Sequence, residues 1–391
     1  MEGTGNNFMI GVIADDLTGA AELGAVGLRH GLRAEIVRSG QPGGAADLVC
    51  VDTDSRACEP VEAAKRAAAA AKMLRAAGAK WIYKKVDSVL RGQVTAEVEA
   101  VMKQLKLERA LLLPANPSLG RTIKDGHYFL RGKPLHKTEF ARDPHFPRRS
   151  SHVLRLVKIP EMFSMRLAGG NRVLTAGTIV VGDAETSAQV QDWTGSFSPQ
   201  MLPSGGSEFF NALLSLDRPV LENGGPALLE NPAAKEFFVV GTSTESARKF
   251  VAAQRRRKAP VFSLPLELAW GAEFMPLAIE AVTQRVLTAF ATKSRVVLQV
   301  GLPPVRDLDV ARGLSNQVVC VAVSVLRQLG AARVFAEGGA TAAELVRRMG
   351  WPRLEVLREH APGVATLAVG DEPDLQLTIK PGTYAWPAQW T

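Results

Sequence analysis

The chain of 391 residues is poor in cysteine and histidine, with three of the former and six of the latter, and aromatic residues make up only 6%. Cys50, Cys58 and Cys320 are odd in number and show no CxxC spacing, which excludes a disulfide scaffold and predicts reduced thiols. No stretch approaches the ~18 uncharged apolar residues of a membrane span. The start, MEGTGNNFMIGVIADD, has neither the basic nor the apolar region of a signal peptide. The expectation is a cytoplasmic protein with no membrane partner. Also absent are GxxxxGK[ST], the HRD and DFG pair, GxGxxG after a strand, GxSxG and HExxH. Ordinary P-loop, protein-kinase, Rossmann, α/β-hydrolase and zinc-protease readings lose weight accordingly.

What is present is globular usage: 46% hydrophobic, 22% charged, 35 Gly, 23 Pro and a mean hydropathy of +0.03. The length favours two domains, because a single core rarely grows beyond about 250–300 residues, and two domains suggest a cleft. Lys plus Arg exceed Asp plus Glu by 47 to 39, a net charge of +8 that admits nucleic acid, anionic lipid or a small anionic substrate. The basic run Arg255 to Lys258 closes a predicted helix, where cations complement the dipole, and no aromatic residue interleaves with it. No nucleic-acid partner is expected.

Phe8 to Ala14 reads as a buried strand and Leu17 to His30 as a helix. Strands at 33–38, 48–52, 80–84 and 109–113 alternate with helices at 60–77 and 93–105, which implies βαβ units and a mainly parallel sheet. Periodicity fades from Asn116 to Arg155, as in a functional loop or an antiparallel excursion. A Pro-, Gly- and Ser-rich stretch near 199–231 suggests a boundary near residue 230. A second α/β series then runs through strands at 236–240, 295–300 and 333–336 and helices at 245–257, 274–292, 310–330 and 341–350, closing with strands at 365–369 and 375–380. The predicted fold is α/β in two domains, 1–230 and 231–391, each a mainly parallel sheet flanked by helices.

Two adjacent carboxylates, Asp15 and Asp16, end the first strand, where open α/β sheets gather ligands. One of them can simply cap the following helix; two together point to a cation, a hydroxyl donor or a helix N-terminus. Lys84, Lys85, Asp87, Ser88 and Arg91 concentrate three cations, a carboxylate and a hydroxyl after a later strand, a set suited to gripping a small acid. His127, His136, His145 and His152 match no compact zinc spacing. Glu337-Gly338-Gly339-Ala340-Thr341 follows a strand and opens a helix, with Thr341 and Glu344 in capping-box spacing. Thr242 and Glu245 repeat that spacing after Gly241, and Lys380-Pro381-Gly382 follows the final strand. These turns suit phosphate.

Taken together, ADDLTGA (14–20), KKVDSVLRG (84–92), the PANP…GRT segment (114–122), Phe140 to Pro144 and the GGAT turn (338–341) resemble the four-carbon acid sugar kinase family over most of the chain. The resemblance implies an N-terminal acid-sugar domain, a C-terminal nucleotide domain, and ATP-dependent phosphorylation of the terminal hydroxyl of threonate, erythronate or 3-oxo-tetronate. Asp16, or else Asp15, would accept the hydroxyl proton, and Lys84, Lys85, Asp87, Ser88, Arg91, Asn116 and Arg121 would bind the acid. Ser243, Gly338, Gly339, Ala340, Thr341 and Gly382 would contact ATP, with Mg²⁺ held mainly through its phosphates. Two positions depart from the family pattern. Val89 replaces a Thr, which bears on substrate choice, and Lys380-Pro381-Gly382 replaces the usual last loop. A homodimer is admissible. A non-catalytic acid-sugar or nucleotide sensor, and a metal-dependent hydrolase using Asp15, Asp16 and the histidines, are the alternatives.

Overall fold

The computed structural model describes residues 9–143, 146–158, 178–221, 235–265, 275–301, 308–330, 332–370, 372–382 and 384–391. Residue 230, His145 and Thr383 lie outside them. The chain divides into two compact units, Met1–Gly225 and Pro226–Thr391.

The first unit opens with β1 (Ile10–Ala14), α1 (Leu17–Arg29), β2 (Ala34–Val37), β3 (Leu48–Asp52), α2 (Pro60–Ala76), β4 (Trp81–Lys85), α3 (Val94–Leu105) and β5 (Arg109–Leu113). A small antiparallel sheet follows, β6 (Arg121–Lys124), β7 (His127–Leu130) and β8 (Lys133–Pro134), which is the excursion expected where periodicity fades. The unit continues with α4 (Val153–Val157), β9 (Thr178–Val181), α5 (Ser187–Asp192), β10 (Met201–Gly205) and α6 (Ser207–Leu214).

Strands β1 and β3 are buried along their whole length, as continuous apolar runs covered on both faces must be. The parallel order is β2-β3-β1-β4-β10-β5-β9. From β1 the chain goes through α1 to β2 and returns to β3, whereas α2 carries it to β4 on the other side of β1. Connections thus leave in opposite directions, and the carboxyl ends of β1 and β4 frame a crevice.

The second unit comprises β11 (Lys235–Val240), α7 (Glu245–Arg256), β12 (Val261–Ser263), α8 (Met275–Thr292), β13 (Arg295–Gln299), α9 (Leu308–Leu329), β14 (Ala332–Glu337), α10 (Gly339–Met349), β15 (Arg353–Ala361), β16 (Val364–Val369) and β17 (Glu372–Lys380). Its order, β12-β13-β11-β14-β17-β16-β15, is parallel through β17 and antiparallel from there. The winding of the first unit recurs: β11 leads to β12, then to β13, and β14 lies across β11. The second crevice therefore opens at the ends of β11 and β14, beside Gly241 and Gly338. The core beneath is aromatic. Phe238 stacks on Phe335 with centroids 4.2 Å apart, and Phe250, Trp386 and Trp390 pack around them, anchoring the chain after β17.

Both units are thus α/β with mainly parallel sheets flanked by helices. Asp87 to Gly92 form turns, and α3 begins at Val94, one residue after the expected start. No described helix is long and apolar enough to cross a membrane.

Candidate active site

At the end of β1 the two aspartates take different tasks. Asp15 is 3% exposed, and Arg56 grips it through two bonds, Nε to Oδ2 at 2.7 Å and Nη2 to Oδ1 at 2.9 Å. Asp16 has extended backbone and caps α1, its Oδ1 accepting from the Gly19 N–H at 2.8 Å. Its Oδ2 accepts from the Thr18 hydroxyl and from Arg56 Nη1, both at 2.5 Å. The same Nη1 lies 3.5 Å from Oδ1 of Asp87. One guanidinium therefore ties three carboxylates together.

Asp87 is in turn the anchor of its loop. Its Oδ2 accepts from the N–H groups of Val89 and Arg91, each at 3.1 Å, and Arg91 closes a fork through Nε at 3.0 Å and Nη2 at 2.8 Å. The other arm of Arg91 reaches Asp143 at 3.3 Å. Burial opposes ionisation of both Asp15 and Asp87. Arg56 reverses this for Asp15, and Arg91 with Arg56 for Asp87, so Asp15 sits below the ordinary carboxylate range and Asp87 well below it. Burial likewise works against the charge on Arg56, which the three aspartates push well above its ordinary value. The site is a network of fixed charges.

Lys84 and Lys85 behave otherwise than expected. Lys84 is fully buried, 2.9 Å from Glu97 of α3, and donates to the Lys85 carbonyl. Lys85 lies 3.2 Å from Glu22 of α1 and donates to the Val86 carbonyl. Adjacent strand residues point to opposite faces, so each lysine meets a carboxylate from a different helix. Neither ammonium is presented for gripping an acid; both hold the end of β4 between α1 and α3.

Asn116 is buried, donates to the Ser207 hydroxyl at 3.0 Å, and exchanges backbone bonds with Arg121. Arg121 and Lys85 both act on Glu22, whose value falls below its ordinary one despite burial. These residues form a second polar group on the α1 side. Ser88 is half-buried, and its carbonyl accepts from the Tyr128 hydroxyl. Val89 is fully buried, so the departure from Thr faces the core rather than a ligand. Sequence reasoning missed Arg56 and Arg148. Arg148 is 8% exposed and donates to the Leu90 carbonyl at 2.7 Å. The one available signal for Arg56 was its position just after β3, whose end lies beside that of β1, with Asp52 in register with Ala14.

In the second unit, α10 begins at Gly339, and Gly338, at φ +103°, is its N-cap with no side-chain hydrogen bond. The capping box expected from Thr341 and Glu344 is not made, because Thr341 lies inside the first turn and Glu344 pairs with Arg347 and Arg348. The first N–H groups of α10, Gly339, Ala340 and Thr341, are thereby left for an anion. Gly241 allows this: a Cβ there would lie 2.0 Å from Oγ1 of Thr341. The expected Thr242–Glu245 box is also replaced. Thr244 caps α7, accepting from the Ala247 N–H at 3.2 Å and donating to the Gly382 carbonyl at 2.8 Å. Ser243 offers its carbonyl to Arg248. Lys380 is no free phosphate grip. It is buried 3.1 Å from Glu337 and donates to the Pro381 and Tyr384 carbonyls, shaping the loop that carries Gly382.

Residues 10–193 match a family model described as a sugar-binding N-terminal domain, and residues 237–384 one described as a nucleotide-binding C-terminal domain. The chain is 28% identical to a D-threonate kinase of Bordetella bronchiseptica across 96% of its length and 94% of that protein. It is 26% identical to a 3-oxo-tetronate kinase of Pseudomonas savastanoi over the same shares. The chain belongs to the four-carbon acid sugar kinase family. A Salmonella typhimurium D-threonate kinase is 37% identical over 191 residues, 44% of this chain and 45% of that one. The fold is shared with a Haemophilus influenzae protein of known crystal structure, at a TM-score of 0.73 and 22% identity over 96% of this chain and 97% of that one. As a member of the four-carbon acid sugar kinase family, the protein is a phosphotransferase with a hydroxyl group as acceptor.

Proposed function

We propose that the protein transfers the γ-phosphoryl group of MgATP to the terminal, O4, hydroxyl of a four-carbon sugar acid: threonate, erythronate or 3-oxo-tetronate. The observation that carries this reading is a matched pair of crevices. One, in the sugar-binding unit, is lined by carboxylates tied to Arg56; the other, in the nucleotide-binding unit, holds an uncapped helix end. Residues 1–230 take the acid and residues 231–391 the nucleotide.

Phosphoryl transfer passes through a loose transition state, so positioning matters more than a strong base. Asp16 is the more accessible of the first pair, with a side chain 19% exposed against 3% for Asp15. Its Oδ2 orients the acceptor hydroxyl and takes its proton as the new O–P bond forms and ADP departs. Asp15 holds Arg56 in place for that step. Arg91, 28% exposed, pairs with the substrate carboxylate while Asp87 fixes its fork, and the Ser88 hydroxyl reaches the sugar hydroxyls. Asn116 and Arg121 complete the far wall, and Lys84 and Lys85 act from behind by holding β4. Gly338 to Thr341 cradle the phosphates, with Ser243 and Gly382 on either side. Among the described residues no group of three or more His, Cys, Asp and Glu is placed to hold a metal. Mg²⁺ accordingly enters as part of the MgATP substrate, liganded by phosphate and water.

The test is ADP release over D- and L-threonate, D- and L-erythronate and the 3-oxo acids. At least one is expected to raise the rate well above that with ATP alone. Asp16→Asn is expected to lower kcat by at least ~100-fold with KM for ATP little changed. No stimulation by any acid would refute the function, and near-normal turnover of the variant would reduce Asp16 to a helix cap.

A further inference from the structure

The histidine-rich segment, which the kinase reading leaves unused, folds into a pocket of its own. Its volume is about 270 Å³, and it is lined by His127, His136, Arg149, Ser151, His152 and Arg155 among others. Among the described residues no carboxylate takes part in the lining. The pocket is built by tertiary contacts rather than by one charged stretch. Tyr128 N–H donates to the Ser151 carbonyl and Val153 N–H to that of Gly126, which fastens residues 151–153 against β7. His127 and His152 meet edge to face with centroids 5.2 Å apart, and His136 Nδ1 lies 2.7 Å from the Ser151 hydroxyl.

Orientation decides what the rings offer. His127 Nδ1 lies 2.9 Å from the Asp125 carbonyl and must donate to it, which makes Nε2 of the neutral ring an acceptor and leaves donation to an anion to the guanidinium groups. Asp183 accepts the Gly126 N–H at 3.0 Å, and Glu185 pairs with Lys124. Arg148, next in the chain to Arg149, turns away to the Leu90 carbonyl. Two guanidinium groups beside three imidazoles, with no carboxylate in the lining among the described residues, disfavour a metal cation and attract an anion bearing more than one charge.

We propose that this pocket binds the phosphate group of a small anion, separately from the acid and nucleotide crevices. Free phosphate and a short phosphate monoester share that chemistry.

The test is calorimetric titration of the full chain with saturating ADP present, so that the nucleotide crevice is filled. Inorganic phosphate and glycerol 3-phosphate serve as the two probes, and tighter binding of one over the other assigns the source. Saturable binding is expected, at least tenfold weaker in Arg149→Ala/Arg155→Ala. The milder His136→Asn, which leaves the arginines in place, is expected to weaken binding less than the double variant does. Absence of saturable binding, or an affinity unmoved by both variants, overturns the proposal. The outcome does not depend on which acid the enzyme phosphorylates.

Discussion

Replacing Arg56 by Gln removes the guanidinium that bonds Asp15 and Asp16 and lies 3.5 Å from Asp87, leaving a shorter, neutral polar side chain. In the native protein its bonds to Asp15 are 2.7 and 2.9 Å long, and the Asp15 side chain is 3% exposed. Deleting one partner of such a pair leaves a buried charge uncompensated, a cost of about 3 kcal/mol at neutral pH. The pH dependence supplies the sharper test. In the wild type Arg56 holds Asp15 below its ordinary value, so between pH 7.5 and 5.5 it carries no proton in either the folded or the unfolded chain and contributes no slope. Without Arg56, burial prevails and the folded value rises above the unfolded one. The folded variant then binds a proton that the unfolded chain does not, and its stability increases as pH falls. One proton is worth about 1.4 kcal/mol per pH unit, so the deficit should shrink by about 1–2 kcal/mol across the two units. The contributions of Asp52, pushed up to about 6 by burial, and of His360 are common to both proteins and cancel in the difference. Urea titrations read by hydrogen exchange of β1 and β4 at the two pH values isolate the first unit. A deficit below 1 kcal/mol at pH 7.5, or one that does not change with pH, refutes the reasoning.

Gly241→Ala should raise KM for ATP at least ~10-fold and lower stability by about 1–3 kcal/mol, because its Cβ would overlap Thr341 Oγ1. Thr341→Ala should relieve part of the stability loss in the double variant, which a double-mutant cycle on thermal stability measures. Burial, with Arg358 nearby, lowers the His360 value to about 4, so the unfolded chain binds the proton first as pH falls. The second unit should therefore lose about 1–2 kcal/mol between pH 7 and pH 5, after allowance for partial exposure, and His360→Gln should abolish that slope in urea titrations. Val89→Thr should cost about 1–2 kcal/mol in unfolding experiments by burying a hydroxyl, with no change in the ranking of acids by kcat/KM.

The ends of β1 and β4 were legible because apolar runs stop abruptly at Asp15-Asp16 and Lys84-Lys85, and the parallel sheets followed from strands spaced by helices. Arg56 was not legible, since its role depends on β3 inserting beside β1, a pairing that no local pattern encodes. Lys84 and Lys85 were misread because the carboxylates that consume them, Glu97 and Glu22, come from helices on opposite faces. The expected helix caps went astray for a similar reason. Thr244, not Thr242, caps α7, and its hydroxyl also bonds the distant Gly382 carbonyl, so a tertiary contact coincides with the frame chosen between two equivalent threonines. Strand β15 was missed because RLEVLREHA carries charges along its length, a pattern compatible with several local structures.

The central claim is phosphorylation of a four-carbon sugar acid at its terminal hydroxyl. Its most direct test is phosphorus NMR of the product formed from the acid that best stimulates ADP release. The account predicts one phosphomonoester per ADP, with the phosphorus coupled to the two protons of the terminal carbon. Inorganic phosphate in place of an ester, or phosphorus coupled to a single carbinol proton, would contradict it.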